Sequence, residues 1–213
     1  MKRKVVWLLV SCLMVAALLL ASCAPAVTEE EEVVTEEEVV EEVVEEEEEP
    51  LEEEKAPPEK IEMEITSAAF QDGETIPTRH TCDGQDISPV LIWSGVPEGT
   101  QSFALIVDDP DAPGGTFTHW VIFNIPANTL ELEEAIPTGP QLLSGALQGR
   151  NDFGRISYGG PCPPPGTPHH YHFVLYALDL TLDLPAGASK VQVLNAMQGH
   201  ILGQAEVIGS YQR

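Results

Sequence analysis

From residue 62 onward the chain is a series of short apolar runs separated by turn signals. Glu62–Ser67, Val90–Trp93, Ser102–Asp108, His119–Ile125, Tyr171–Leu178 and Glu206–Tyr211 each combine β-branched or aromatic residues over a strand-sized length. Phe103-Ala104-Leu105-Ile106-Val107 and Trp120-Val121-Ile122-Phe123 do not alternate. Continuous apolar runs of that length suit strands covered on both faces. Gly95-Val96-Pro97-Glu98-Gly99, Pro113-Gly114-Gly115 and Ile125-Pro126-Ala127-Asn128 read as the turns between them. The pattern predicts an all-β domain, a two-sheet antiparallel β-sandwich, with one or two short helices near the C-terminus. For the first helix, Ser189 stands three residues before Gln192 as in a capping box. Val191, Leu194 and Met197 share its apolar face, and Gly199 stops it. A second short helical turn is expected over Ile201–Ala205, before the last strand.

The N-terminal pattern is different. A basic start, Met1-Lys2-Arg3-Lys4, precedes an apolar run from Val5 to Leu20 broken only by Ser11, then Leu20-Ala21-Ser22-Cys23. Positive charge, apolar core and small residues at a cut site describe a secretory signal. The ending resembles a bacterial lipobox, in which Cys23 becomes the lipidated first residue. An uncleaved membrane anchor is the alternative, because the run is close to the lower limit for spanning, about 17 residues. Both place the domain outside the cytoplasm, on the cell membrane or outer membrane. Residues 28–60 hold eighteen glutamates, two lysines and three Val-Val pairs. Such repulsion with little apolar surface favours an extended spacer, or else an acidic tail for cations or basic partners. The expected organisation is a signal over 1–22, a lipidated cysteine and acidic linker over 23–60, and one domain over 61–213.

Charge and cysteine content narrow the function. The formal net charge is −25, and residues 61–213 carry seventeen Asp or Glu against five Lys or Arg. There is no basic stripe, so nucleic acid is not an expected partner. With Cys12 in the signal and Cys23 in the lipobox, Cys82 and Cys162 remain. In an oxidising compartment they can pair or stay as free thiols, and sequence alone does not supply the separation that decides it.

Two stretches concentrate chemistry. In Asp108-Asp109-Pro110-Asp111-Ala112-Pro113, followed by Thr118-His119-Trp120, a hairpin-like connection can bring carboxylate and imidazole together. A carboxylate favours the imidazolium, whose two N–H groups can grip an anion. A capped turn with a satisfied core histidine is the plainer reading. The other stretch is Gly160-Pro161-Cys162-Pro163-Pro164-Pro165-Gly166-Thr167-Pro168, running into His169-His170-Tyr171-His172. Strand alternation puts His169 and Tyr171 on one face, His170 and His172 on the other. His-x-His suits a metal, yet no Cys-x-x-Cys, His-Glu-x-x-His or evident third ligand accompanies it. No metal and no cofactor is therefore expected. No Gly-x-Ser-x-Gly exists, and Cys162 as nucleophile needs a base that sequence cannot place.

Taken in order, Asp109-Pro110-Asp111-Ala112-Pro113, His119-Trp120, Gly160-Pro161-Cys162-Pro163-Pro164 and His169-His170-Tyr171 resemble the signature of the phosphatidylethanolamine-binding protein family, in its bacterial Raf-kinase-inhibitor-like branch. Thr81-Cys82-Asp83-Gly84, Ser88-Pro89, Asn151-Asp152-Phe153-Gly154 and Tyr176-Ala177-Leu178-Asp179 fit the same branch. The resemblance implies a sandwich with a small pocket for phosphate-like anions or phosphorylated head groups. Its walls here are Asp109, Asp111, Pro113, His119, Gly160, Pro161, His169 and Tyr171. Asp109 is expected to pair with His119, facing His169 and Tyr171. The chain has His170 where eukaryotic members typically carry arginine, and ends without their C-terminal helix, which implies a differently closed pocket. The expected function is a membrane-tethered, non-enzymatic binding protein. The alternatives are an inhibitor of an envelope protease or kinase, or a zinc- or His/Asp-assisted hydrolase.

Overall fold

A computed structural model describes residues 62–213. The expected signal, Cys23 and the acidic stretch 28–60 lie outside the described residues.

Eight strands form two antiparallel sheets. The smaller holds β1 (Glu64–Ser67), β2 (Leu91–Ser94) and β5 (Glu131–Leu132), in the order β1-β2-β5. The larger runs β6-β4-β3-β7-β8, from β6 (Leu147–Gln148), β4 (Phe117–Pro126), β3 (Ser102–Asp109), β7 (His169–Leu178) and β8 (Ile201–Tyr211). The sheets pack face to face. Ile65, Leu91 and Trp93 meet Phe103, Leu105, Val107, Trp120, Ile122, Phe173 and Leu175 in the main core.

The continuous apolar runs have the expected cause. On the other face of the large sheet Ala104, Ile106, Val121 and Phe123 belong to a second apolar cluster, closed by Leu182, Ala188, Val193 and Met197. β3 and β4 are thus buried on both sides, where each fully buried aliphatic or aromatic side chain is worth roughly 1.5–3 kcal/mol.

Helix α1 (Lys190–Met197) contributes Val193 and Met197 to that cover. Its start is as read: Ser189 Oγ accepts from the Gln192 N–H, while the Gln192 side chain reaches back to the Ser189 N–H. Gly199, at φ +80°, supplies the left-handed residue just beyond the helix. The buried face differs from the expected one. Val191 is 64% exposed, whereas Val193 and Met197, one turn apart, are fully buried. The capping box fixes where the helix begins but not its rotation against the sheet, which packing on Val121 and Phe123 decides.

The helical turn expected over Ile201–Ala205 is a correction. These residues are the first half of β8, paired Ile201↔Leu178, Gly203↔Ala177 and Ala205↔Leu175. The far end of β7 would otherwise expose an unpaired backbone edge, and that demand overrides the weak local pattern of residues that are mostly not buried.

Val193→Ala is expected to cost about 2 kcal/mol by urea unfolding, and Val191→Ala less than about 0.5. Equal effects would mean that the helix is rotated.

Candidate functional site

The antiparallel register brings three strand ends to one place. Asp109, the last residue of β3, lies opposite Phe117 at the start of β4. Asp108 lies opposite His172, near the start of β7. There a cavity of about 180 Å³ opens, lined by Asp109, Ala112, Pro113, Phe117, His119, Phe153, Cys162, Pro163, Pro164 and His169.

His119 owes its direction to a β-bulge. Val107 pairs with Trp120 and Asp108 with Thr118, so His119 is the extra residue on β4. Thr118, His119 and Trp120 are all buried, and the bulge sets the direction of the His119 side chain within that buried run. His119 Nδ1 lies 2.8 Å from the Gly159 carbonyl, and its ring meets those of Phe117, Phe153 and Tyr171 edge-on at 5.1 to 5.3 Å. Burial pushes its proton affinity down, against the opposing pull of the carbonyl and of Asp109.

Asp109 is buried and pairs with His169, not with His119: Oδ2 stands 2.7 Å from His169 Nδ1. Its Oδ1 accepts the Asp111 N–H at 2.9 Å, an Asx turn that folds the Asp-Pro-Asp segment over the cavity. The expected Asp109–His119 pair fails because the bulge swings His119 toward Gly159, while β7, directly hydrogen-bonded to β3, presents His169.

Of the other residues expected in the walls, Pro113 lines the cavity and four do not. Asp111 is exposed and binds the His170 N–H and Nδ1, each at 2.8 Å, which holds its carboxyl below the usual range. Gly160 donates to Asp86 Oδ1 at 2.6 Å, and the Pro161 carbonyl accepts from the Cys82 N–H at 3.0 Å. A Cβ on Gly160 would run into the His80 carbonyl, so this glycine seats the proline loop rather than meeting a ligand. Tyr171 is fully buried behind His119. Its hydroxyl lies near the Asp109 carboxylate and the Cys162 backbone without a regular hydrogen bond to either, and burial keeps it protonated.

Cys82 and Cys162 form a disulfide, with Cα atoms 5.4 Å apart across 80 residues of sequence. In the chain-entropy view a loop of that size is worth roughly 4 kcal/mol. Here it ties the Thr-Cys-Asp-Gly turn to the proline loop, and Cys162 carries no free thiol. The three clustered imidazoles are divided among separate acids: His169 to Asp109, His170 to Asp111 and His172 to Glu206 at 2.7 Å.

Sequence reasoning missed the aromatic wall. Asn151 Nδ2 binds the His119 and Ser157 carbonyls at 3.1 and 2.9 Å, and Asp152 Oδ2 accepts the Thr118 N–H at 2.6 Å. These clips press Phe153 onto His119, and Gly159 leaves room for the ring, since a Cβ there would sit 2.7 Å from it. The available signal was Phe117, two residues before His119, and Phe153 within Asn-Asp-Phe-Gly.

A two-sheet sandwich with a small His/Asp cavity at the end of its central strands defines the class to which the comparisons point. Residues 66–212 match the family described as phosphatidylethanolamine-binding protein. The UPF0098 protein of Methanothermobacter thermautotrophicus is 56% identical over 151 residues, 71% of this chain and 99% of that one. Among solved structures, YbcL of Escherichia coli is similar at a TM-score of 0.67 and 40% identity, covering 71% of this chain and 99% of that chain. The phosphatidylethanolamine-binding protein homologue CT736 of Chlamydia trachomatis gives 0.65 and 41%, over 72% and 99%. The chain belongs to the phosphatidylethanolamine-binding protein family.

His119 is expected to titrate below its ordinary value of 6.5 in the folded protein. A lowered folded value means that the unfolded chain takes the proton first, so this contribution to stability is full above 6.5 and is lost as pH falls below it. An NMR titration of His119 alongside urea unfolding checks both. A titration above the ordinary value would reverse the sign.

Proposed function

We propose that the domain is a non-enzymatic binding module whose cavity takes a small phosphorylated or otherwise anionic head group. The observation that carries this reading is the convergence of His119 and His169 on one cavity of about 180 Å³. At roughly 30 Å³ per water, that is room for a group of about six heavy atoms. Aromatic and proline walls lower the local dielectric and strengthen each polar contact. The acid inside is already compensated, because Asp109 is held by His169. Membership of a family named for binding phosphatidylethanolamine supports the same ligand class.

A module of this kind works where head groups are exposed. The basic start, apolar run and Leu-Ala-Ser-Cys ending support export and lipidation at Cys23. The acidic stretch over 28–60 then acts as a spacer that keeps the domain off anionic lipid. Mass spectrometry of the native protein is expected to find Cys23 acylated and first in the chain. A native chain that still begins at Met1 would remove the lipid anchor.

The binding test is calorimetry of the full chain with inorganic phosphate and O-phosphoethanolamine. Both are expected to bind, and His169→Ala to weaken them about ten- to a hundredfold, the range set by charge-assisted hydrogen bonds. Phe153→Ala is expected to weaken them less. Absence of binding by either compound defeats the reading.

A further inference from the structure

The hydrogens in the cavity can be placed one by one. A backbone carbonyl only accepts, so the 2.8 Å contact with Gly159 requires the hydrogen of His119 on Nδ1. Nε2 is then the one polar ring atom that His119 can offer a ligand, and in the neutral ring it is a bare lone pair. Burial favours that neutral ring, against the pull of the Gly159 and Gly160 carbonyls and of Asp109 and Asp108. Phe117 and Phe153 cover it with apolar surface. On β3, Asp108 is taken by Lys190 at 2.6 Å and Asp109 by His169 at 2.7 Å. On β7, Tyr171 meets it with a ring edge.

Other donors are scarce. None of the five Lys and Arg among the described residues lines the cavity. Arg155, which lies over the Phe153 ring, pairs with Asp86, and Arg213, near Cys162, pairs with Asp83. Pro113, Pro163 and Pro164 have no N–H. The N–H groups of Gly159, Gly160 and Asp111 are spent on the His119 carbonyl, Asp86 and Asp109. The side-chain donors left are the Tyr171 hydroxyl, buried beside Asp109 without a regular partner, and the His169 ring, which can donate from Nε2 when both its nitrogens carry hydrogens.

A fully deprotonated oxyanion would therefore set its lone pairs against that of His119. We infer that the cavity selects an oxyanion that carries its own hydrogen, a monoprotonated phosphate or phosphonate whose P–OH donates to His119 Nε2, and rejects sulfates and sulfonates of the same shape. This rests on the reading of the cavity as an oxyanion site. It adds that discrimination comes from one hydrogen and not from net charge or size.

Methylphosphonate and methanesulfonate separate the two effects. At about pH 5.5 both are tetrahedral monoanions, and the phosphonate alone keeps a proton, since phosphoryl groups lose their second proton near pH 6 or above. Calorimetry of the full chain is expected to give at least about tenfold tighter binding of methylphosphonate, the cost of leaving one buried polar atom unpaired. The advantage is expected to shrink as pH rises to about 8.5, where the phosphonate loses its hydrogen. His119→Gln, whose amide can turn either a donor or an acceptor to the ligand, should narrow the ratio. Equal or tighter methanesulfonate binding by the unmodified protein overturns the inference and leaves the oxyanion site intact. A ratio unchanged in His119→Gln overturns the role of His119. Failure of methylphosphonate, methanesulfonate and inorganic phosphate to bind at all defeats the oxyanion site and this inference together.

Discussion

Asp109 is a carboxylate at the end of a strand buried on both faces, and the architecture of the site follows from giving it a partner. An uncompensated carboxylate there would carry a desolvation penalty of several kcal/mol. His169 meets it because β3 and β7 are hydrogen-bonded neighbours whose register brings the end of one beside the start of the other. The partnership constrains its surroundings. β7 has to begin at His169, so the proline-rich segment must reach the cavity rim as a loop. The second oxygen of Asp109 folds the Asp-Pro-Asp turn back over the same opening.

The proline loop has few means of holding itself in place, because a run of prolines donates no hydrogen bonds. Its attachments come from elsewhere. The Cys82–Cys162 bridge, the Cys82 N–H on Pro161 and the Asp86 carboxylate on Gly160 bind it to the turn near residue 80. Asp83 in that turn also receives Tyr211 Oη at 3.0 Å and Arg213 Nε at 3.0 Å from the end of β8. Distant segments thus converge behind one wall. A wall ordered in this way loses little further entropy when a ligand arrives.

Legibility in the sequence followed the strength of the local signal. β3 and β4 were readable because burial on both faces leaves continuous apolar runs, and the start of α1 because a capping box is a two-residue chemical pattern. The rotation of α1 and the early start of β8 were not, since both are settled by what lies opposite: Val121 and Phe123 in one case, the free edge of β7 in the other. In the site, the His169 and Tyr171 face was readable from alternation, whereas the bulge at His119 breaks alternation and leaves no mark in residue type. That single irregularity accounts for the mistaken Asp109–His119 pair. It also accounts for the missed role of Phe153, which packs where the bulge places the imidazole.

The charge balance of the domain gives this geometry its consequence. With seventeen acids and five basic residues, and with Arg79, Arg155, Lys190 and Arg213 each held by a carboxylate, the domain has little spare positive charge to aim at an anion. A highly acidic surface repels dianions at long range, and short-range recognition has to act against that field. For the proposed anion site, recognition by hydrogen-bond direction in an apolar-walled cavity meets this condition, because it relies on the His119 ring and the Asp109–His169 pair and not on surface charge. Placing the donors and acceptors by buried carbonyl and carboxylate contacts gives the cavity polarity without a lysine or arginine in its lining. That is the form of recognition which remains open to so acidic a chain.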